Sequence, residues 1–168
     1  MTLQNDDNVL YIDYDVFAFH SPTEIFDSLR TGSLTPLYNR ESPSAPPDSE
    51  MHKVAQKLNL EVPNGFNSGL LWLPRGCLSI TTYCEFIRES DWSATNYFAD
   101  QTMLAALFEE SGATALSEER YVTSKARQFY WEQDVDYSFI AARHFVYPVR
   151  HLLFKKGIPL LLADVPIN

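Results

Sequence analysis

Cysteine is scarce in this 168-residue sequence, which contains only Cys77 and Cys84. These residues form no CxxC pair and no Cys/His ligand spacing, which excludes a disulfide scaffold and a zinc knuckle. Basic residues are also few, with 13 Lys and Arg against 22 Asp and Glu, and the net charge is −9. A nucleic-acid binder normally has a basic surface, and an anionic membrane repels an acidic protein. Both kinds of partner are therefore disfavoured.

Long hydrophobic runs are missing as well. No apolar stretch approaches the roughly 20 residues of a membrane-spanning helix, so the sequence predicts no membrane span. Residues 1–7 lack the basic and apolar regions of a signal peptide. We therefore expect a soluble, cytoplasmic chain.

The composition is that of a folded domain. Hydrophobic residues make up 45% of the chain and aromatic residues 14%, which is enough apolar material for one core. The sequence thus predicts a single domain over residues 1–168. One segment stands apart: residues 36–50 contain four prolines among serines and charges. This composition predicts a mobile surface loop inserted in the domain.

Predicted strands and helices alternate along the chain, which indicates an α/β fold. The apolar runs Val9–Ile12 and Phe66–Leu73 predict strands, and the first is expected to be buried on both faces. Apolar spacing predicts a helix over residues 79–88 with Cys84 on its packed face. Further predictions are a helix capped by residue 95 or 96 and stopped at Gly112, strands at 121–123 and 139–142, and a last helix that begins near Pro148 and ends just before Gly157.

Asp13 and Asp15 follow the first predicted strand directly. Side chains at i and i+2 point to the same side of an extended chain, so both carboxylates can reach one ion. Carboxylate oxygens suit Mg²⁺ or Mn²⁺, with substrate phosphates completing the coordination. A bare D-x-D pattern is weak, since the chain has a second one at Asp134 and Asp136. Solvated acids that simply end a strand are the alternative interpretation.

The haloacid-dehalogenase phosphatases have a D-x-D near the N-terminus, with the first Asp as nucleophile. Their pattern continues with a small residue and then Thr or Val, where this chain has Val16 and Phe17. They also need a later Gly-Asp motif, and no glycine here is followed by Asp. A phosphatase of this kind is therefore the less favoured alternative.

More of the chain resembles the nucleotide-sugar glycosyltransferases of GT-A type. Residues 11–16, followed by Ser-Pro at 21–22, are similar to their metal-binding D-x-D segment. The other similar segments, in the order that the family shows, are the Asn-small-Gly strand opening at 66–71, Asp-Gln-Thr at 100–102 and the His- and Arg-containing segment at 143–151. The resemblance spans residues 9–157.

The resemblance implies a mixed sheet with flanking helices and a metal-dependent sugar transfer from a nucleoside diphosphate to an acceptor hydroxyl. The metal, Mn²⁺ or Mg²⁺, would be held by Asp13, Asp15 and His144. The resemblance also implies substrate contacts and catalytic residues. The substrate contacts are Asn67, Ser68, Gly69 and Arg150, and the catalytic residues are Asp100 and Gln101.

The sequence departs from the family in one respect. Only twelve residues precede Asp13, where the family has the strands that hold the nucleotide base and ribose. We therefore expect the C-terminal part of such a domain, with slow turnover or none unless a partner chain supplies the missing half. A non-catalytic remnant or subunit that binds a partner chain is the alternative function.

Overall fold

The computed structural model describes residues 7–41, 46–123, 137–146 and 150–163. Strands and helices alternate along it, which confirms the predicted α/β class. The strands are β1 (Val9–Ile12), β2 (Val16–Ala18), β3 (Leu37–Arg40), β4 (Phe66–Leu73), β5 (Thr114–Ala115), β6 (Tyr121–Val122) and β7 (Ala142–His144). The helices are α1 (Thr23–Thr31), α2 (Ser49–Lys57), α3 (Ile80–Glu89), α4 (Ala99–Glu110), α5 (Arg150–Leu152) and α6 (Ile158–Ala163), with a π-helical segment (Leu153–Gly157) between the last two.

In the described part of the chain the strands form two mixed sheets. The first sheet has the order β1-β4-β3-β5, with β4 antiparallel to both neighbours and β5 parallel to β3. The second has the order β2-β7-β6, with β2 antiparallel and β6 parallel to β7. Because β1 and β2 are adjacent in the chain, the turn between them passes from one sheet to the other.

Helix α4 lies between the first sheet and the helices α2 and α3. On one side Met103 and Leu107 pack with the buried residues of α2 and α3. On the other side Phe108 meets the rings of Phe66 and Tyr38, with ring centroids 5.2 and 6.3 Å away. A helix buried on two sides is apolar around most of its surface, which stabilises it by removing several large side chains from water. This packing fixes the N-terminus of α4 beside β4.

A fully buried carboxylate, Asp48, fixes the segment that leads into α4. Its Oδ1 accepts a hydrogen bond from the N–H of Met51 at 2.8 Å and so caps α2. Its Oδ2 accepts from the N–H of Asn96 at 2.6 Å, and its own N–H donates to Thr102 Oγ1 at 2.8 Å. One residue, through its side chain and its backbone N–H, thus ties the start of α2 to residues on both sides of the start of α4.

The prediction of a loop over residues 36–50 is wrong for residues 37–40 and 49–50. Residues 37–40 form β3, where Tyr38 is only 8% exposed and stacks on Phe66 at 4.9 Å. Pro36 is compatible with this strand because it precedes the first residue and its carbonyl still accepts from Thr114 N–H at 2.9 Å. Residues 49 and 50 begin α2, and residues 42–45 lie outside the described part.

The strand predicted at Val9–Ile12 is confirmed, but its burial is not. Its four side chains are 38–49% exposed because β1 is an edge strand of the first sheet. The helix predicted at 79–88 is confirmed as α3, yet Cys84 is exposed rather than packed. Strand β7 begins at Ala142, so most of the strand predicted at 139–142 is a helical turn and a bend.

The C-terminal helical segment continues beyond Gly157 to Ala163. Gly157 has no left-handed backbone conformation that would end a helix. A Cβ on it would press against Phe145, which accounts for a glycine inside the helix. Pro148, Asp134 and Asp136 lie outside the described residues. Among the helices that are described, none is long and apolar enough to cross a bilayer.

Candidate functional site

The turn between β1 and β2 holds two aspartates at the junction of the sheets. Asp13 N–H donates to the carbonyl of Gly69 at 2.8 Å, which continues the β1–β4 pairing by one residue. Val16 N–H donates to the carbonyl of Asp13 at 3.0 Å and closes the turn. The carbonyl of Asp15 accepts from Phe145 N–H at 2.8 Å. Backbone bonds to both sheets therefore fix the two carboxylates.

His144 is the last residue of β7 and pairs with Val16 at the start of β2. This register brings its ring to the two aspartates: Nε2 lies 3.1 Å from Asp15 Oδ1 and 3.7 Å from Asp13 Oδ2. His144 and Asp15 are buried, and Asp13 is half-buried. One ligand atom from each residue lies within 4.8 Å of the others, a spacing that could hold a metal ion.

The other nitrogen of the His144 ring meets Asn67 on β4. The distance from Nδ1 to Asn67 Oδ1 is 3.0 Å. The same oxygen accepts from Gly69 N–H at 2.9 Å, and Asn67 Nδ2 donates to Glu41 Oε2 at 3.3 Å. The buried amide of Asn67 is thus engaged on both sides by protein groups.

Gly69 lies directly against the ring of His144. A Cβ at this position would come closer than 3.0 Å to two ring atoms, a separation that real Cβ atoms essentially never show. The resemblance implies a substrate contact for Gly69. In the structure it does not line the cavity described below, and its missing side chain makes room for the imidazole.

Arg150, at the start of α5, forms a two-pronged ion pair with Asp15. Its Nη2 and Nε lie 2.7 and 3.1 Å from Asp15 Oδ2. The guanidinium carbon also lies 5.2 Å from the centre of the Tyr14 ring. Each oxygen of the Asp15 carboxylate therefore has a different partner, His144 at Oδ1 and Arg150 at Oδ2.

The surroundings of the site change the acidity of two groups. Burial lowers the pKa of His144, and the neighbouring carboxylates of Asp15 and Asp13 oppose this only in part. The imidazole is therefore neutral at physiological pH. The hydroxyl of Tyr11 donates to Asp13 Oδ1 at 2.6 Å, and this bond together with burial raises the pKa of Tyr11 to about 12.

An open cavity of about 720 Å³ surrounds this cluster. Helix α4 contributes Asp100 and Gln101 from its first turn, and Gln101 Oε1 accepts from the hydroxyl of Ser68 at 3.4 Å. A cavity of this size accepts a small organic ligand. Its lining consists of Tyr11, Asp13, Tyr14, Asp15, Glu41, Asn67, Ser68, Tyr97, Phe98, Asp100, Gln101, His144, Val146 and Arg150.

The residues that the resemblance singled out therefore meet in one place, apart from Gly69, which lies behind His144. Glu41 is the main site residue that sequence reasoning missed. It is only 5% exposed and follows β3, a strand that lies within the predicted loop. Recognising that strand would have put an acidic residue at the same edge of the sheet as Asn67, which pairs with Asn39.

Comparison with known proteins gives no match: no family model, curated protein or solved structure is similar enough to place the chain in a family.

Proposed function

We propose that the protein is a metal-dependent, glycosyltransferase-like protein with a GT-A-like domain. It moves a sugar from a nucleoside diphosphate donor to an acceptor hydroxyl. One observation carries this proposal: the four segments that resemble the family are separate in the chain and line a single cavity. Their order and chemistry agree with the resemblance, and a chance match of short motifs has no reason to converge in space.

The donor groups fit a divalent cation. Asn67 Oδ1 carries no hydrogen, so the proton of the neutral His144 ring lies on Nδ1 and Nε2 has a bare lone pair. That lone pair faces Asp15 Oδ1 at 3.1 Å, which is unfavourable unless a cation or a proton lies between them. Two carboxylates and one imidazole suit Mn²⁺, and Mg²⁺ where phosphate oxygens complete the coordination. When bound, the cation would act as a Lewis acid that neutralises charge on a leaving diphosphate.

The remaining residues have roles that follow from their positions. Arg150 supplies a fork of N–H donors for the diphosphate, for which its guanidinium must leave Asp15 at least in part. Ser68 and Gln101 offer a hydroxyl and an amide to sugar hydroxyls. Asp100, exposed at the first turn of α4, acts either as a general base or as a partner for a sugar hydroxyl.

Calorimetry with Mn²⁺ and a nucleoside diphosphate tests the binding step. The wild type should bind the two ligands cooperatively, and Asp13→Asn should lose this heat because an amide is a poor replacement for a carboxylate ligand. Asp27→Asn is the matched control, since its exposed carboxylate lies on α1 and pairs with the neighbouring Arg30. Equal binding by the wild type and Asp13→Asn contradicts the metal site.

Donor turnover tests the reaction itself. UDP-glucose, UDP-galactose and GDP-mannose are incubated with Mn²⁺, and release of the nucleoside diphosphate is measured with and without sugar acceptors. Metal-dependent release that Asp15→Asn lacks supports the proposal. Cooperative binding without release of any nucleoside diphosphate supports a binding protein instead.

The exposed edge of the first sheet favours one alternative, a non-catalytic subunit that binds a partner chain. Strand β1 pairs with β4 on one side, and its other side carries no strand within the described residues. Its side chains are apolar and 38–49% exposed, which makes it a template for an added strand. Sizing chromatography with light scattering discriminates between the two, because a stable monomer with metal-dependent turnover argues against the subunit.

A further inference from the structure

Two hydrogen bonds in series reach His144 from the side that does not face the aspartates. Glu41 Oε2 accepts from Asn67 Nδ2 at 3.3 Å, and Asn67 Oδ1 lies 3.0 Å from His144 Nδ1. Glu41 and Asn67 are each 5% exposed. Water therefore has little access to replace either bond.

The orientation of the Asn67 amide is fixed by its other neighbours. Its oxygen must face Gly69 N–H, which donates to it at 2.9 Å. Its NH₂ group must face Glu41, because a carboxylate accepts hydrogen bonds and donates none. A flipped amide would set N–H against N–H and oxygen against oxygen. His144 Nδ1 therefore meets an obligatory acceptor and must carry the ring proton.

We propose that Asn67 and Glu41 are positioning residues for His144. They keep the proton on Nδ1 and hold the ring plane, so that Nε2 presents its lone pair to a cation shared with Asp13 and Asp15. Outer partners of this kind commonly set the tautomer of a metal-binding histidine. The inference rests on the metal site of the proposed function and does not depend on sugar transfer. It also gives Asn67 a role different from the sugar contact that the resemblance implies.

Three variants separate this role from a general effect on folding. Asn67→Leu keeps the size of the side chain and removes the acceptor, so the ring proton should move to Nε2, where Asp15 Oδ1 accepts it at 3.1 Å. Asn67→Asp sets two carboxylates against each other at the position of the 3.3 Å bond. Asn67→Asp combined with Glu41→Gln exchanges amide and carboxylate, which restores both hydrogen bonds at the same total charge.

The first measurement is the ¹⁵N NMR spectrum of the imidazoles in the metal-free chain at pH 8, with the His144 signal assigned from His144→Gln. We expect the proton on Nδ1 in the wild type and the double variant, and on Nε2 in Asn67→Leu. A proton that stays on Nδ1 in Asn67→Leu overturns the proposal.

The second measurement is the affinity for Mn²⁺ alone, followed by the electron paramagnetic resonance of the free ion. Asn67→Leu and Asn67→Asp should bind about 10–100-fold more weakly than the wild type, and the double variant should recover most of the loss. If Asn67→Leu does not fold, the comparison of Asn67→Asp with the double variant still decides. Equal affinity in all proteins overturns the positioning role alone, whereas a wild type that binds no Mn²⁺ overturns the metal site of the proposed function.

Discussion

Replacing Gly69 with alanine is the smallest change that should disable the candidate metal site. The new methyl group would lie closer than 3.0 Å to two atoms of the His144 ring. The ring is buried and held at Nδ1 by Asn67, so any movement away from the methyl group strains or breaks this hydrogen bond. Either β4 or the ring must move, and both movements alter the distance from Nε2 to the carboxylates.

The expected magnitude follows from the packing. Forcing one methyl group into a filled interior costs about 1–3 kcal/mol of unfolding free energy, which lowers the melting temperature by roughly 2–12 °C for a chain of this size. Displacement of one of the three candidate ligands should weaken Mn²⁺ binding by at least about 10–100-fold, the loss seen when the surroundings of a metal ligand are disturbed.

The control for this variant is Gly76→Ala. Gly76 has a φ of +70°, and a Cβ there meets nothing within 4 Å. Left-handed backbone strain should lower the stability of this variant by about 1–2 kcal/mol, without any effect at His144. Urea unfolding and Mn²⁺ titration of both variants give the answer. Gly69→Ala with the Mn²⁺ affinity of Gly76→Ala would refute the packing argument.

Three further predictions concern neighbouring groups. Arg150→Gln removes a cation beside Asp15, so it should raise the affinity for Mn²⁺ alone about 3–10-fold and lower the affinity for Mn²⁺ in the presence of a nucleoside diphosphate. Mn²⁺ titrations with and without the nucleoside diphosphate measure this, and a change of the same sign in both contradicts it. The hydroxyl of Tyr11 has a pKa of about 12 in the folded chain and loses its proton near pH 10 in the unfolded chain, so its stabilising contribution is complete below pH 10 and is lost as the pH rises toward 12. Urea unfolding should therefore show that the free energy of unfolding falls less steeply above pH 10 in Tyr11→Phe than in the wild type. Brief alkylation should modify the exposed Cys84 before Cys77, because burial raises the pKa of the Cys77 thiol to about 11. Peptide mass spectrometry measures the order of labelling, and faster labelling of Cys77 contradicts the prediction.

Local sequence patterns correctly predicted the strands and helices whose burial in the fold matches their apolar or polar composition. The run Phe66–Leu73 is apolar and central, and its predicted bounds are those of β4. The run Val9–Ile12 is equally apolar, but its position at the edge of the sheet is set by pairing with β4 and not by its own residues. Strand β3 was missed because Pro36 and the prolines after it indicate a loop, while aromatic packing of Tyr38 decides for a strand.

The residues of the candidate site that belong to short sequence motifs could be predicted. Asp13 and Asp15 are recognisable from their spacing, and His144 from the order of motifs alone. The contact that joins these residues is the pairing of Val16 with His144, a long-range register that no local pattern reveals. The hydrogen bonds of Asn67 could not be predicted for the same reason. Its partner His144 belongs to β7, and its partner Glu41 follows β3, a strand that the sequence did not predict.

The pairing of β2 with β7 has a consequence for the order of folding and metal binding. Asp15 and Arg150, which touch each other, are 135 residues apart in the chain, so their meeting closes nearly the whole length into a loop. Such a closure is entropically costly and is typically among the later events of folding. A cation that needs Asp13, Asp15 and His144 together can bind only molecules that have completed this step. Once bound, the cation would link the N-terminal and C-terminal parts of the fold. The free energy of unfolding would then increase with the logarithm of the cation concentration.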